Sequence, residues 1–152
     1  MPLAYHHHMA AAIETEPELD LFMKHSGAGI PLLYDAGHMA FAGGDVLRVI
    51  DNHHARISHV HTKDVRMDVI DGLDRGRESF LDAVVKGVFT VPGDGSLNFE
   101  AIVKRLAGHG YEGWFVVEAE QDPKVSPPLE MAKIGHTELL SVMAAAGYIV
   151  EA

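Results

Sequence analysis

The stretch ISHVHTKDV, residues 57–65, combines a strand pattern with a cluster of polar groups at one end. Its side chains alternate between two faces, as they do along a β-strand. One face carries Ser58, Val60 and Thr62, and the other carries Ile57, His59, His61 and Lys63. In parallel α/β folds, ligands bind at the carboxyl ends of the strands. The stretch therefore predicts both a fold class and the place of a site.

Three further segments have the composition of strands, and amphipathic segments alternate with them. The strand segments are residues 3–9, 30–38 (IPLLYDAGH) and 113–120 (GWFVVEAE). The helical segments begin at a capping box in residues 15–18, at Asp45, near Ser79, at Asn98 and at Pro127–Pro128. This order predicts a parallel sheet with helices outside it. We expect one domain over residues 1–147 and a loose tail over residues 148–152.

The composition excludes several classes of function. The 152 residues carry a formal net charge of −10, which argues against binding to nucleic acid or to anionic lipid. No apolar run reaches the roughly 18 residues of a membrane span, and the N-terminus lacks a signal-peptide pattern, so we expect a cytoplasmic protein. The chain has no cysteine but 11 histidines. A transition-metal site would therefore use histidine and carboxylate ligands.

Acidic and imidazole side chains lie at the carboxyl ends of all four predicted strands. They are His6, His7 and His8; Asp35 and His38; His59, His61, Lys63 and Asp64; and Glu118, Glu120, Gln121 and Asp122. Histidine combined with carboxylates suits Mn, Co, Fe or Mg better than a structural zinc site. The sequence thus predicts a candidate metal site at this edge of the sheet.

The same residues also have simpler interpretations. His59 could be a structural histidine, and Glu120 could be a surface residue. Lys63 and Asp64 could form an ion pair at the end of their strand, and residues 93–95 (GDG) could be a tight turn before a helix. From the residues alone, both interpretations stay open.

Five stretches together resemble one known family. They are YHHHM (5–9), LLYDAGHMAFAGGD (32–45), HVHTKDVR (59–66), SFLDAVVKGVFTVPGDGSLNF (79–99) and GYEGWFVVEAEQDP (110–123). In this order they resemble the C-terminal half of inosose dehydratases, which belong to the xylose isomerase-like TIM-barrel superfamily. The resemblance runs from about Tyr5 to Gly147. It implies an α/β fold comprising strands five to eight of an eight-stranded barrel, since a full barrel needs about 250 residues.

The resemblance also implies roles for particular residues. The metal ligands would be Asp35, His61 and Glu118, with His6 as the favoured ligand from the fifth barrel strand. The catalytic residues would be His38, His8 and Lys63, and the substrate contacts His38, His59 and Glu120. The implied metal is Mn or Co, with Mg, Fe or Zn as alternatives.

The implied function is the dehydration of 2-keto-myo-inositol, a small polyhydroxy ketone, in inositol catabolism. A base removes the proton next to the ketone, a metal stabilises the resulting enediolate, and the β-hydroxyl leaves as water. A sugar or sugar-phosphate isomerase or epimerase of the same superfamily is the alternative enzyme. A non-catalytic truncated remnant or interaction module is the alternative from another class.

Two departures from the family pattern have structural consequences. The chain has Met9-Ala10-Ala11-Ala12 where family members usually have glycine and threonine after the histidines. It also has no counterpart of the first four barrel strands, so its outermost strands would have open edges. We therefore expect a homo-oligomer, a partner that supplies the N-terminal half-barrel, or a truncated product of marginal stability.

Overall fold

The structure, a computed structural model, describes residues 3–150. Its strands are β1 (Tyr5–His6), β2 (Leu32–Asp35), β3 (Ile57–His61), β4 (Asp64–Val65), β5 (Phe89–Thr90) and β6 (Trp114–Val116). Its helices are α1 (Glu16–His25), α2 (Ala36–Phe41), α3 (Val46–His53), α4 (Met67–Asp71), α5 (Phe80–Val85), α6 (Phe99–Gly108) and α7 (Pro128–Ala145), with one 3₁₀ turn at His54–Arg56.

Four of the strands form the predicted parallel sheet, in the order β1-β2-β3-β6. Helices α1, α3, α6 and α7 cover one face of this sheet. Their apolar residues enclose a core with Leu19, Tyr34, Val60 and Ile102, all at most 1% exposed. Within residues 3–150, β1 and β6 each have a strand neighbour on one side only. The sheet is therefore open at both edges, as predicted.

The predicted alternation along β3 is confirmed from His59 to His61. Val60 is buried in the core under the helices, whereas the rings of His59 and His61 lie 5.8 Å apart on the other face. Ile57 was expected on the histidine face, but it is buried in the same core as Val60. The register against β2 slips between Leu32 and Leu33, and this irregularity resets the alternation after Ile57.

The predicted helix starts are confirmed by their caps. Thr15 forms the capping box with Glu18 at α1. Asp45 accepts hydrogen bonds from two backbone amides of α3, and Asn98 accepts one at α6. Pro128 is the first residue of α7, where its missing N–H costs no hydrogen bond.

The strands are shorter than the sequence suggests. The segments 3–9, 30–38, 57–65 and 113–120 contain strands of two to five residues that end at His6, Asp35, His61 and Val116. The clearest case is the second strand, which ends because the Asp35 carboxylate accepts a hydrogen bond from the His38 amide at 3.0 Å and starts α2. The residues beyond each strand lie in the loops and turns that build the site.

The excursion between β3 and α6 was predicted only in part, as a helix that begins near Ser79. Strands β4 and β5 pair antiparallel, and α4 and α5 pack beside them. Val65, Ile70, Ala83 and Phe89 form a second apolar core there, together with Phe41 from α2. The excursion lies against the strand ends, with the Phe89 ring 5.1 Å from that of His38.

The chain after α7 is partly ordered by packing. Tyr148 packs on the main core, and its hydroxyl donates a hydrogen bond to the Tyr111 carbonyl at 3.0 Å. The predicted tail, residues 148–152, thus begins with a residue that packs on the core, and residues 151 and 152 lie outside the described part of the chain. Within residues 3–150, no helix is long and apolar enough to cross a membrane.

Candidate active site

Asp35 lies at the centre of the strand-end cluster. It ends β2, and its side chain is fully buried. One carboxylate oxygen, Oδ1, caps α2, and this leaves Oδ2 to face the cluster. Oδ2 lies 3.2 Å from His6 Nε2 and 3.3 Å from His61 Nδ1. The helix cap thus fixes the direction in which the second oxygen points.

The structure brings together the three predicted metal ligands Asp35, His61 and Glu118. Each offers one ligand atom, and these atoms lie within 4.8 Å of one another. His61 Nδ1 is 3.3 Å from Asp35 Oδ2 and 3.3 Å from Glu118 Oε2. Yet His61 Nδ1 and Glu118 Oε2 are buried atoms that have no aligned hydrogen-bond partner. The three potential ligand atoms therefore converge on one point, an arrangement that suits a bound cation.

The pKa values in this triad reflect that convergence. Burial acts to raise the pKa of the Asp35 carboxyl. The contacts with His6, His61 and Lys63 outweigh burial and hold this pKa well below its usual value. Burial likewise raises the pKa of Glu118, but His61 and Lys63 lower it to about 2. Burial lowers the pKa of His61, but the two carboxylates raise it to about 9. Both carboxylates are thus charged, and the histidine holds a proton in place of another cation.

His6, the favoured fifth-strand ligand, contacts the same carboxylate from β1. Its Nε2 is 3.2 Å from Asp35 Oδ2, and its ring lies 4.9 Å from that of His61. The ligand atoms of His6, Asp35 and His38 also lie within 4.8 Å of one another. His6 is therefore next to the triad and can add a nitrogen ligand by a small side-chain movement.

Lys63 is a buried cation beside the triad. Its side chain is 0% exposed, and its Nζ lies 2.9 Å from Glu118 Oε2 and 2.9 Å from Glu120 Oε2. A third carboxylate oxygen, Asp35 Oδ2, is 3.7 Å away. Burial lowers the pKa of Lys63, but the Asp35 and Glu118 charges more than offset this and raise it. The neighbouring carboxylates therefore favour the protonated form of Lys63.

The rings of His38 and His8 lie against each other beside Lys63, tilted by 43°. Their ring centroids are 3.6 Å apart, and His38 Nε2 lies 2.7 Å from Lys63 Nζ. His38 is fully buried, and burial lowers its pKa to about 2. The Asp35 charge acts to raise this pKa, whereas the Lys63 charge acts to lower it. His8 is about one-third exposed, and its Nε2 lies 3.8 Å from Glu120 Oε1. His38 is thus a neutral, internal histidine, whereas His8 faces the accessible side of the site.

The alternative of a Lys63–Asp64 ion pair is wrong. The carboxylate partners of Lys63 come from other strand ends, and Asp64 instead accepts hydrogen bonds from the Val65 and Leu97 amides. Burial raises the pKa of Asp64. Its role is to hold the 93–97 turn, where a Cβ on Gly95 would lie 2.4 Å from Asp64 Cγ.

The other two predicted substrate contacts differ in position. Glu120 is about one-quarter exposed and bridges Lys63 to His8 and His38. It is therefore part of the cluster rather than an isolated surface residue. His59 lies two residues before His61 on β3, and within residues 3–150 it joins none of the groups of converging ligand atoms.

His7 is a residue that the sequence analysis assigned no role. It is fully buried, its Nε2 accepts a hydrogen bond from the Asp35 amide at 3.3 Å, and burial lowers its pKa to about 4. Its ring therefore supports the backbone of a candidate metal ligand from behind. The alternation of the strand could have indicated this, because His7 points away from the face that His6 and His8 share.

Comparison with known proteins places this site in context. The family model described as xylose isomerase-like TIM barrel matches residues 4–142. The rhizopine catabolism protein MocC of Rhizobium meliloti is 51% identical over 146 residues, which are 96% of this chain and 45% of that protein. The inosose dehydratase of Geobacillus thermodenitrificans is 50% identical over 133 residues, which are 87% of this chain and 45% of that enzyme. The chain thus spans a little under half the length of these curated relatives.

A solved structure supports the same fold. The IOLI protein, determined with a bound zinc atom, matches with a TM-score of 0.65 and 14% sequence identity. The match covers 97% of this chain and 50% of that one. Together with the family model, it confirms the predicted fold class, an α/β chain with the architecture of a partial TIM barrel.

Proposed function

Because the chain belongs to the xylose isomerase-like TIM-barrel family, we propose that it binds one divalent metal through Asp35, His61 and Glu118 and contributes this half of the active site to a dehydratase of 2-keto-myo-inositol. The inosose dehydratase relatives support the reaction class. Since the chain spans 45% of their length, we assign the reaction to a barrel completed by strands from elsewhere.

One observation carries the proposal: the ligand atoms of Asp35, His61 and Glu118 converge within 4.8 Å at the strand ends, where the Asp35 side chain is fully buried. An imidazole nitrogen with carboxylate oxygens suits Mn²⁺ or Co²⁺, and Zn²⁺ also accepts this set. The bound zinc named for the IOLI structure supports a metal site in this fold. His6 is the nearest candidate for a fourth ligand.

The chemistry requires a base for the proton next to the ketone. A divalent metal would polarise the ketone oxygen and so make that proton more acidic. His8 Nδ1 lies 2.6 Å from the Met9 carbonyl oxygen, which can only accept, so Nδ1 carries the ring proton. Nε2 then has a free lone pair on the accessible side of the site. His8 is therefore our candidate for the base, with Glu120 stabilising the imidazolium that forms.

The same histidine can complete the elimination. When the C–O bond of the β-hydroxyl breaks, its electron pair leaves with the oxygen, and His8 returns its proton to give water. Lys63 and His38 are fully buried beneath it, which favours a positioning role for both. Lys63 holds Glu118 and Glu120, and His38 supports the ring of His8.

The first test is metal content. The purified chain, without any affinity tag, is incubated with Mn²⁺, separated from excess metal by gel filtration and analysed by mass spectrometry. We expect one metal per chain, and loss of that metal in Asp35→Asn, whose amide oxygen can still cap α2. Asp51→Asn removes a surface carboxylate that pairs with Arg105 and should keep the metal.

A folded chain that binds no metal would contradict the proposal. The second test is the reaction itself, in which the chain is mixed with the N-terminal half of the Geobacillus enzyme and 2-keto-myo-inositol. Loss of one water from the substrate indicates a dehydratase. A product of unchanged mass would indicate an isomerase or epimerase instead and would overturn the reaction that we assign.

A further inference from the structure

The site contains a second group of potential metal ligands beside the triad. His8, His38 and Glu120 each offer one ligand atom, and these atoms also lie within 4.8 Å of one another. Two histidines with one carboxylate form a ligand set that transition metals accept readily. None of these three side chains belongs to the Asp35, His61 and Glu118 triad. By its ligand types alone, the cluster could therefore hold two metals.

Lys63 fills the space that a second metal would use. Its ammonium is 2.7 Å from His38 Nε2 and 2.9 Å from Glu120 Oε2, and so contacts two of the three ligands in that group. It also lies 2.9 Å from Glu118, a member of the triad. A positive charge is thus already present at the junction of the two groups.

The position of this ammonium is fixed by packing. The Lys63 stem runs against the backbone of α2, where a Cβ on Gly37 would lie 2.5 Å from Lys63 Cγ. On another side, the ring centroid of Phe89 is 5.1 Å from Nζ. The side chain is 0% exposed, so the ammonium can reach solvent only if the neighbouring residues move.

We propose that the Lys63 ammonium takes the place of a second metal cation and restricts this site to one metal. The charges support this number, because Asp35, Glu118 and Glu120 together carry three negative charges. One divalent metal and Lys63 balance them, whereas two metals beside Lys63 would leave an excess of positive charge in a buried site. The inference depends on the proposed function in one respect only, the metal bound by Asp35, His61 and Glu118.

The test is metal content in Lys63→Met, which keeps a chain of similar length and removes the charge. We expect one more bound Zn²⁺ per chain than in the unmodified protein. The additional metal should disappear when His8→Ala is combined with Lys63→Met, because His8 belongs to the second group alone. Lys104→Met is the matched control, since it removes an exposed lysine that pairs with Glu100 and should leave the metal content unchanged.

The readout is the difference between variant and unmodified chain, so it is independent of the first metal. A folded Lys63→Met that gains no metal overturns this inference, whatever the unmodified chain binds. An unmodified chain without metal contradicts only the proposed function. Lys63→Gln is the second variant if Lys63→Met does not fold, as judged by circular dichroism, and Lys63→Arg should keep the original metal content.

Discussion

At the residue scale, Ala10 adopts a backbone conformation that glycine prefers. Its φ is 61°, and it is the one non-glycine residue of the described chain in the left-handed region. A Cβ in that region costs about 1–2 kcal/mol, while glycine adds a smaller cost through the entropy of the unfolded chain. The alanine at this position therefore strains the backbone.

We predict that Ala10→Gly stabilises the protein by about 0.5–1 kcal/mol, the difference between these two costs. Urea unfolding followed by circular dichroism measures this free energy. Ala12→Gly is the matched control, because Ala12 lies outside the left-handed region. This variant should be destabilised by the entropic cost of glycine alone. Equal shifts in both variants would show that the backbone at position 10 is unstrained.

The sequence could indicate which residues meet at the site but not how their side chains are partnered. Asp35 and His61 end neighbouring parallel strands, and Glu118 follows the end of the next strand by two residues. Parallel strands bring their carboxyl ends to one edge of the sheet. The partner of Lys63 depends on which way the chain turns after β3. Asp64 enters β4 and binds the 93–97 turn, so the adjacent pair in sequence is separated in space.

At the scale of elements, local signals predicted helix starts better than strand lengths. A cap such as Asp45 satisfies amides within three residues of itself, so its signal is contained in the sequence around it. Apart from β2, which the Asp35 cap ends, a strand ends where its neighbour stops pairing, and the local sequence does not encode that point. The β4–β5 pair was missed for the same reason, since residues 64–65 and 89–90 are too short to show a strand period.

Glu16 joins two of these helix starts. It is the first residue of α1 and is 5% exposed, and it accepts a hydrogen bond from the Asp45 amide at 2.9 Å and pairs with Arg48 at 2.6 Å. The bond from Arg48 and the amide outweigh the effect of burial and lower the pKa of Glu16 below its usual 4.5. The carboxylate form therefore favours the folded state.

We predict that Glu16→Gln lowers the free energy of unfolding at neutral pH by about 1–3 kcal/mol, as expected for hydrogen bonds to a charged group. Because the folded pKa is lowered, this contribution is complete above pH 4.5 and is lost as the pH falls through the folded value. Urea unfolding across this range should show the two proteins converging in acid. Glu100→Gln, at an exposed pair with Lys104, should change the stability by less than about 0.5 kcal/mol. A difference that persists unchanged in acid would exclude the Glu16 charge as its source.

At the scale of the whole molecule, the sheet is covered by helices on one face and exposes the other. Trp114 begins the edge strand β6 and is 73% exposed. It pairs in register with His59, whose ring lies on the same face as that of His61. A large aromatic residue at an open strand edge is an unusual surface feature, and it fits a face that other strands cover in a closed barrel.

We predict that closure of the barrel buries Trp114. It is the sole tryptophan of the chain, so its fluorescence reports on this face alone. Adding the N-terminal half of the Geobacillus inosose dehydratase, made without tryptophan, should shift the emission to shorter wavelength, because the indole leaves water. The control is the addition of an unrelated tryptophan-free protein, which should leave the emission of the chain unchanged. If the two halves elute together from gel filtration while the emission stays that of an exposed tryptophan, they associate through another surface, and the open face of the sheet is not where the barrel is completed.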